Sequence, residues 1–262
     1  MKITLLGTGG SAGLPQIGGD DGGGDWGTTN PQDPRNRRTR TSIVIHTDDN
    51  NAILVDTGPD LRTQLIEHHI SLIDAILYTH AHADHIAGLD DVRILNRLRN
   101  QPMPIYATAE TLDELKQRFE YAFKSWNGNF FGRPVLVPNV ISPGQSFRLN
   151  GLEILPIHQD HGFSSSLGFR IGSFAYCTDV VRLDETALTA LEGVKTWIVD
   201  CFTPKSDHPT HAGLKTIEGW VKRLRPERTI LTHMGPQMDY QTLKAQLPFG
   251  VEPGYDGMVL EI

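Results

Sequence analysis

Short apolar runs recur along the chain between polar turns, and their spacing predicts the elements. Lys2–Leu6, Thr41–His46, Asn51–Asp56 and Asp74–Thr79 read as strands, with a short helix over Asp60–His69 before the last of them. Ile86, Leu89, Ile94, Leu95 and Leu98 fall close to helical spacing, which predicts a helix over Ile86–Arg97. Pro104–Ala107 reads as a strand and Glu110–Phe123 as a helix. Strands then come in quick succession at Val135–Val137, Ser146–Leu149, Leu152–Ile157, Leu167–Ile171 and Phe174–Cys177. Trp197–Cys201 and Arg228–Thr232 flank a helix with Leu214, Ile217, Trp220, Val221 and Leu224 on one side, and a last strand follows Tyr255–Met258. Two strand-rich blocks, each with its own helices, predict an α/β fold built as a four-layer αββα sandwich.

Three stretches break the pattern. Gly7–Pro15 is glycine-rich and follows a strand, but a dinucleotide cradle needs a helix behind it, and Pro15 with more glycine gives none. A tight turn is the better reading. From about residue 16 to 40, six glycines and three aspartates between Gly18 and Gly27 give way to Pro31, Pro34 and arginines at 35, 37, 38 and 40. Glycine loses the most backbone entropy on ordering, so this reads as a mobile surface loop. Arg38 and Arg40, at its basic end, are candidates to hold a guanidinium over a phosphate; solvated loop arginines are the alternative. Trp126, Phe130 and Phe131 lie in a turn-rich segment without a period. It is read either as a lid stacking on a base or sugar, with Trp126 as its contact, or as residues packed under the preceding helix.

With 39% hydrophobic residues over 262 positions the chain can bury a sizeable core, and residues 1–262 are expected to form one domain. It has no apolar run of 18 residues, and Met1–Gly7 breaks too early for a signal peptide, so a cytoplasmic protein without a membrane partner is expected. Cys177 and Cys201 form no CxxC pair and read as plain core thiols. A net charge of −7 argues against a long nucleic acid as the main partner.

The chemistry is concentrated in Thr79-His80-Ala-His82-Ala-Asp84-His85, on a strand-to-helix loop. Four metal-competent side chains within six residues suit two neighbouring cations better than one, because His80 with His82 and Asp84 with His85 can point to separate coordination spheres. An imidazole-rich set suits Zn2+ and serves Mn2+ nearly as well, so two divalent ions of either kind are expected.

His80-x-His82-x-Asp84-His85 resembles the signature of the metallo-β-lactamase superfamily. Asp56 in Leu54–Gly58, His161 in Asp160-His-Gly162, Asp179 in Cys177-Thr-Asp and His233 in Leu231-Thr-His match it in the same order along the chain. The resemblance implies that His80, His82 and His161 hold one cation, that Asp84, His85 and His233 hold the other, and that Asp179 bridges them. It makes Asp56 a carboxylate that orients the histidines. It also implies that His211, at the mouth of a helix, protonates the leaving group, with His208 as its rival. Asp84 and Asp179 would thus serve catalysis through the metals.

Within the superfamily the chain is similar to the phosphoribosyl 1,2-cyclic phosphate phosphodiesterase (PhnP-like) branch, at Val199-Asp-Cys201, Gln237-Met-Asp239 and Gly254–Met258. That branch carries a structural zinc held by three loop cysteines and a histidine, whereas this loop has no cysteine and the histidine position is Pro236. The resemblance implies hydrolysis of a small cyclic phosphodiester, phosphoribosyl or nucleotide-like, by a chain that in relatives is commonly a homodimer. The competing readings are an acyl or thioester hydrolase, a ribonuclease Z-like nuclease and a non-catalytic nucleotide-binding protein.

Overall fold

In the computed structural model, which describes every residue except Asn129, Ser206 and Asp207, fourteen strands form two seven-stranded sheets. The first half of the chain gives β1 (Lys2–Gly7), β2 (Ser42–His46), β3 (Ala52–Val55), β4 (Ala75–Leu77), β5 (Met103–Ala107) and β6 (Leu136–Val140). The second half gives β7 (Phe147–Leu149), β8 (Leu152–Asp160), β9 (Ser165–Ile171), β10 (Phe174–Cys177), β11 (Thr196–Asp200), β12 (Arg228–Thr232) and β13 (Val251–Pro253). The last strand, β14 (Val259–Glu261), returns to pair with β1 at the edge of the first sheet. Helices α1 (Leu61–Glu67), α2 (Ala83–Ile86), α3 (Val92–Arg99) and α4 (Ala109–Arg118) belong to the first half. Helices α5 (Glu185–Leu191), α6 (Leu214–Leu224) and α7 (Tyr240–Gln246) belong to the second.

Strand alternation sets the four layers. In β3, Ile53 and Val55 face the core between the sheets, while Ala52 and Leu54 face the core under α1, α3 and α4. In β11, Ile198 faces inward, and Trp197 and Val199 meet α5, α6 and α7. Each side chain so buried stabilises the fold by about 1.5 to 3 kcal/mol. The expected αββα sandwich is therefore the observed one. Among the described residues no helix is long and apolar enough to cross a membrane.

Two expectations about elements change. The helix expected over Ile86–Arg97 is broken into α2, a short 3-10 turn at Leu89–Asp91, and α3. The break falls at Gly88, whose amide bonds the Thr57 carbonyl and where a Cβ would meet the Gly58 oxygen at 2.0 Å, so two backbones touch. Helices α5 and α7 and strand β13 join the elements that the sequence pattern predicts.

The 16–40 stretch, expected as a mobile loop, is tied down along most of its length. Leu14 and Arg38 exchange both backbone hydrogen bonds at 2.8 Å, and Gln16 and Asp25 do the same. The glycines at the tip permit the reversal: at Gly19, with φ of +82°, a Cβ would lie 2.7 Å from the Gly24 oxygen. The basic end is clasped by Asp239, whose Oδ2 accepts from the Asn30 amide (3.1 Å) and Asn36 Nδ2 (2.8 Å), while Oδ1 caps α7 through the Thr242 amide (2.9 Å). Asn36 returns the contact by accepting the Tyr240 amide at 2.8 Å. Arg38 is buried, donating Nη2 to the Met238 carbonyl and to Asn36 Oδ1.

Replacing Asp239 with Ala removes the acceptor shared by the Asn30 amide and Asn36 Nδ2 and uncaps α7, a loss of about 1 kcal/mol. The expected outcome is a lower melting temperature and faster tryptic cleavage after Arg35 and Arg37, read by timed proteolysis. A second device is Asp256, which accepts from the Thr39 amide (2.7 Å), Thr39 Oγ1 (2.7 Å) and Thr8 Oγ1 (2.8 Å). Burial outweighs these bonds and pushes its carboxyl up to about 6. A raised folded-state pKa means stability that is full below the ordinary carboxyl range and lost as pH rises through about 6. Denaturant titrations between pH 5 and 7.5 are therefore expected to show a falling contribution that Asp256→Asn removes.

Candidate active site and metal centre

The site lies where strands of both sheets end. Parallel strands β3 and β4 of one sheet, and β10, β11 and β12 of the other, all deliver polar residues at their carboxyl ends. Asp56 follows β3, the His80–His85 loop follows β4, Asp179 follows β10, Asp200 ends β11 and His233 follows β12. The Leu167 amide bonds the Thr79 carbonyl at 3.0 Å and ties the two sheets together at this edge. Asp56, Asp179 and His233 all have positive φ, of 65°, 54° and 54°. Such backbone costs of order 1 kcal/mol or more at each non-glycine residue, and here it turns the side chains out of the strand direction toward one point.

Asp56 is fully buried and supports the loop. Its Oδ1 accepts the Thr79 amide at 2.8 Å, and its Oδ2 accepts Thr79 Oγ1 at 2.8 Å and His85 Nδ1 at 2.7 Å. The proton on His85 Nδ1 leaves Nε2 as the lone-pair atom facing inward. His161 is set in the same way, donating Nδ1 to the Thr210 carbonyl at 2.8 Å.

Two groups of donors result. His80, His82 and His161 form one, and Asp84, His85, Asp179 and His233 the other, with the ligand atoms of each group within 4.8 Å of one another. Asp179 stands between them: Oδ1 is 3.6 Å from His161 Nε2 and 3.4 Å from His233 Nε2, and Oδ2 is 3.1 Å from His85 Nε2. These are the residues that the motifs single out, brought together from four separate segments.

The cluster is electrostatically unsettled without a cation. Burial holds His80 well below its ordinary value. At His233 burial acts in the same direction but is outweighed by the charges of Asp179, Asp84 and Asp200, which push it up to about 9. Burial would raise Asp179, yet the neighbouring histidines hold it well below the carboxylate range. The Nε2 atoms of His80, His85 and His233 are buried without a hydrogen-bond partner. Buried polar atoms are rarely left so, and a divalent cation accepting these lone pairs is what the donor set fits.

Beside the second group stands His211, buried, with Nδ1 2.7 Å from Asp200 Oδ2. Its ring stacks on His233 at 4.6 Å and on Phe202 at 5.0 Å. Asp200 is fully buried, accepts the Val180 amide at 3.0 Å, and its Oδ1 lies 3.9 Å from His233 Nδ1. The sequence marked Val199-Asp-Cys201 only as a point of resemblance and gave Asp200 no role. The signal was an acidic residue closing an apolar strand, as at Asp56.

The remaining expected residues are placed differently. His208 is half-buried beside Phe202 and His211, its ring 5.1 Å from that of His211. His158 is exposed. Arg38 is not over the site, because its guanidinium is buried against Met238. Arg40 is held by Asp60, with Nε 3.0 Å from its carboxylate. Trp126 is half-buried and stacks on Phe131 at 4.2 Å, which agrees with packing; Asn129 in that segment lies outside the described residues.

The sequence profile of the β-lactamase superfamily domain matches residues 51–234, an interval that contains every member of the donor set. The chain belongs to the metallo-β-lactamase superfamily. Among superfamily structures it is similar to a diphosphatase from the PhnP family, with 33% identity, a TM-score of 0.88 and coverage of 99% of this chain and 96% of that one. This likeness places it in the PhnP-like branch. An octanoyltransferase of Porphyromonas gingivalis is 29% identical over 259 residues, which is 98% of this chain and 51% of the relative. The chain thus spans about half the length of the curated relatives it matches. The Zn2+-bound PqqB of Methylobacterium extorquens shares the fold, with a TM-score of 0.79 at 17% identity over the whole of both chains. The superfamily and its neighbours imply use of a divalent metal by a hydrolase fold.

If the orphaned nitrogens take a cation, adding Zn2+ or Mn2+ to chelator-treated protein raises the melting temperature, since a ligand at 100 times its Kd stabilises by about 2.7 kcal/mol. His80→Ala and His233→Ala are expected to stay folded and lose most of that rise in a thermal-shift titration.

Proposed function

We propose that this chain is a dinuclear-metal-dependent phosphodiesterase acting on a small phosphorylated substrate. His80, His82 and His161 would hold one Zn2+ or Mn2+, Asp84, His85 and His233 the other, and Asp179 would reach both. Such a pair supplies Lewis acidity to the phosphoryl oxygens and lowers the pKa of water. The observation that carries the reading is the His211–Asp200 pair. It is a positioned proton donor beside the donor set, with one nitrogen of His211 within 4.8 Å of the ligand atoms of His161 and Asp179.

The residues divide the work. Asp200 accepts from Nδ1 and so leaves Nε2 as the atom from which a proton reaches the departing oxygen. Phe202 and His233, themselves in ring contact at 6.1 Å, both pack against the ring and restrain its plane. Asp56 holds His85 in the tautomer with a free Nε2. The diphosphatase neighbour supports chemistry at phosphorus, and a phosphoanhydride would be attacked in the same way as a diester.

A second reading, acyl transfer or thioester hydrolysis, rests on the octanoyltransferase relative, half of whose length this chain matches. A thiolate leaves without a proton, so that reading gives the His211–Asp200 pair no task.

His211→Ala is expected to lower kcat by about 10² to 10⁴-fold for a diester with a poor alkoxide leaving group, and much less for bis(p-nitrophenyl) phosphate. Metal content by elemental analysis stays at the wild-type level. Equal loss on both substrates, or faster turnover of a thioester than of any diester, would remove the assignment.

A further inference from the structure

A cavity of about 590 Å³ opens beside the exposed face of His82 and is continuous with His80. Its size is that of a small-ligand cleft, generally about 300 to 1,000 Å³. None of the residues assigned above, apart from those two histidines, explains its lining. Thr108, Ser142, Ser164 and Ser165 bring hydroxyls to it, Glu110 a carboxylate and His158 an imidazole. The three serine hydroxyls make no hydrogen bond to the described residues, so they are free for a ligand.

The charge of the cavity selects among ligands. Among the described residues no lysine or arginine lines it. Glu114 is neutralised by Arg118, which also donates to the Ala81 carbonyl between the two histidines. Glu110 has no ion-pair partner among the described residues. A second phosphate placed beside that carboxylate would be repelled by it. An uncharged sugar meets no such barrier. A carboxylate takes both hydroxyls of a vicinal diol at once, as acidic residues do for ribose in dinucleotide sites. Val140 and Pro143 form an apolar edge, suited to a flat base or other aglycone beyond the sugar.

We infer that this cavity is the subsite for an uncharged sugar arm of the substrate, with Glu110 accepting from a vicinal diol. The inference rests on the phosphodiesterase reading and narrows its substrate class. The reacting phosphodiester carries on one side a pentosyl or nucleoside group with free 2′ and 3′ hydroxyls and no further phosphate at that diol. Glu110 is then a specificity residue, and Ser164 and Ser165 share the sugar's remaining hydroxyls.

The test compares kcat/KM of the metal-loaded full chain for uridine 5′-(p-nitrophenyl phosphate), its 2′-deoxy analogue and bis(p-nitrophenyl) phosphate. Loss of one charged hydrogen bond to the diol corresponds to about 10-fold or more in favour of the ribose ester. Glu110→Ala is expected to bring that ratio to within about 3-fold, at the scale of a lost weak contact. Asp113→Asn, on the same helix but away from the cavity, is expected to leave the ratio at its wild-type value. Calorimetric binding of uridine 5′-monophosphate against 2′-deoxyuridine 5′-monophosphate reads the same preference without turnover. If no diester is cleaved but a Glu110-dependent ribose preference persists in binding, the phosphodiesterase reading fails and the subsite stands. If bis(p-nitrophenyl) phosphate is cleaved while ribose and deoxyribose compounds behave alike in both assays, or the preference survives Glu110→Ala, the subsite is overturned and the phosphodiesterase reading remains.

Discussion

A single buried carboxylate fixes the loop on which the site depends. Asp56 is inaccessible to solvent and commits both oxygens to Thr79 and His85, the start and the end of the segment that carries four of the candidate ligands. A charge so deeply buried is costly unless hydrogen-bonded on all sides, and three donors within 2.8 Å meet that requirement here. The same bonds decide the tautomer of His85. Structure and chemistry are therefore set by one group: without it the loop has no reason to keep the His80–His85 turn, and the imidazole has no reason to present Nε2 inward.

The arrangement recurs on the other sheet. Asp200 closes β11 as Asp56 follows β3, each takes a backbone amide and a histidine Nδ1, and each orients a ring toward the same space. The two supports differ in what they orient. Asp56 holds a member of the donor set, whereas Asp200 holds His211, which stands outside it and stacks on His233. An imidazole in contact with a candidate ligand histidine feels every change in charge at the centre. That proximity makes the pair sensitive to the state of the site, and contact with both Phe202 and His233 limits how far the ring can respond.

Much of this was legible in the sequence because it is local. The short apolar runs of β3 and β11 mark buried strands, and His80–His85 is contiguous, so both can be read without knowing what lies across the fold. The Asp179 and His233 positions were legible through their short motifs alone. What was not legible depends on distant partners. The loop of residues 16–40 has the composition of mobile chain, and Pro236, Met238 and Asp239, some 200 positions later, supply acceptors that order it. Arg38 looks like a free cation until its carbonyl partner at Met238 is known. Asp200 looks like a strand terminus until His211 arrives from another segment. The helix that breaks at Gly88 does so because Gly58 approaches from β3, a contact no helical periodicity records.

The clasped loop bears on which substrates the site admits. In this chain the loop is ordered through Asn36, Asp239 and the Thr28 amide on Pro236, using hydrogen bonds where the branch it resembles uses cysteines and a histidine on zinc. Hydrogen bonds of this kind can be made and broken singly, but Asp239 gathers two of them and caps a helix as well, so one carboxylate couples the loop to α7. Its arginines are spent in the process: Arg35 on Asp33 and the Tyr240 ring, Arg37 over Trp26, Arg38 on Met238 and Arg40 on Asp60. A loop that might have brought positive charge to the site thus brings little. Among the described residues no lysine or arginine lines the cavity beside His82 either, so on the proposed phosphodiesterase reading the recognition left to this site is of hydroxyls and a single phosphoryl group.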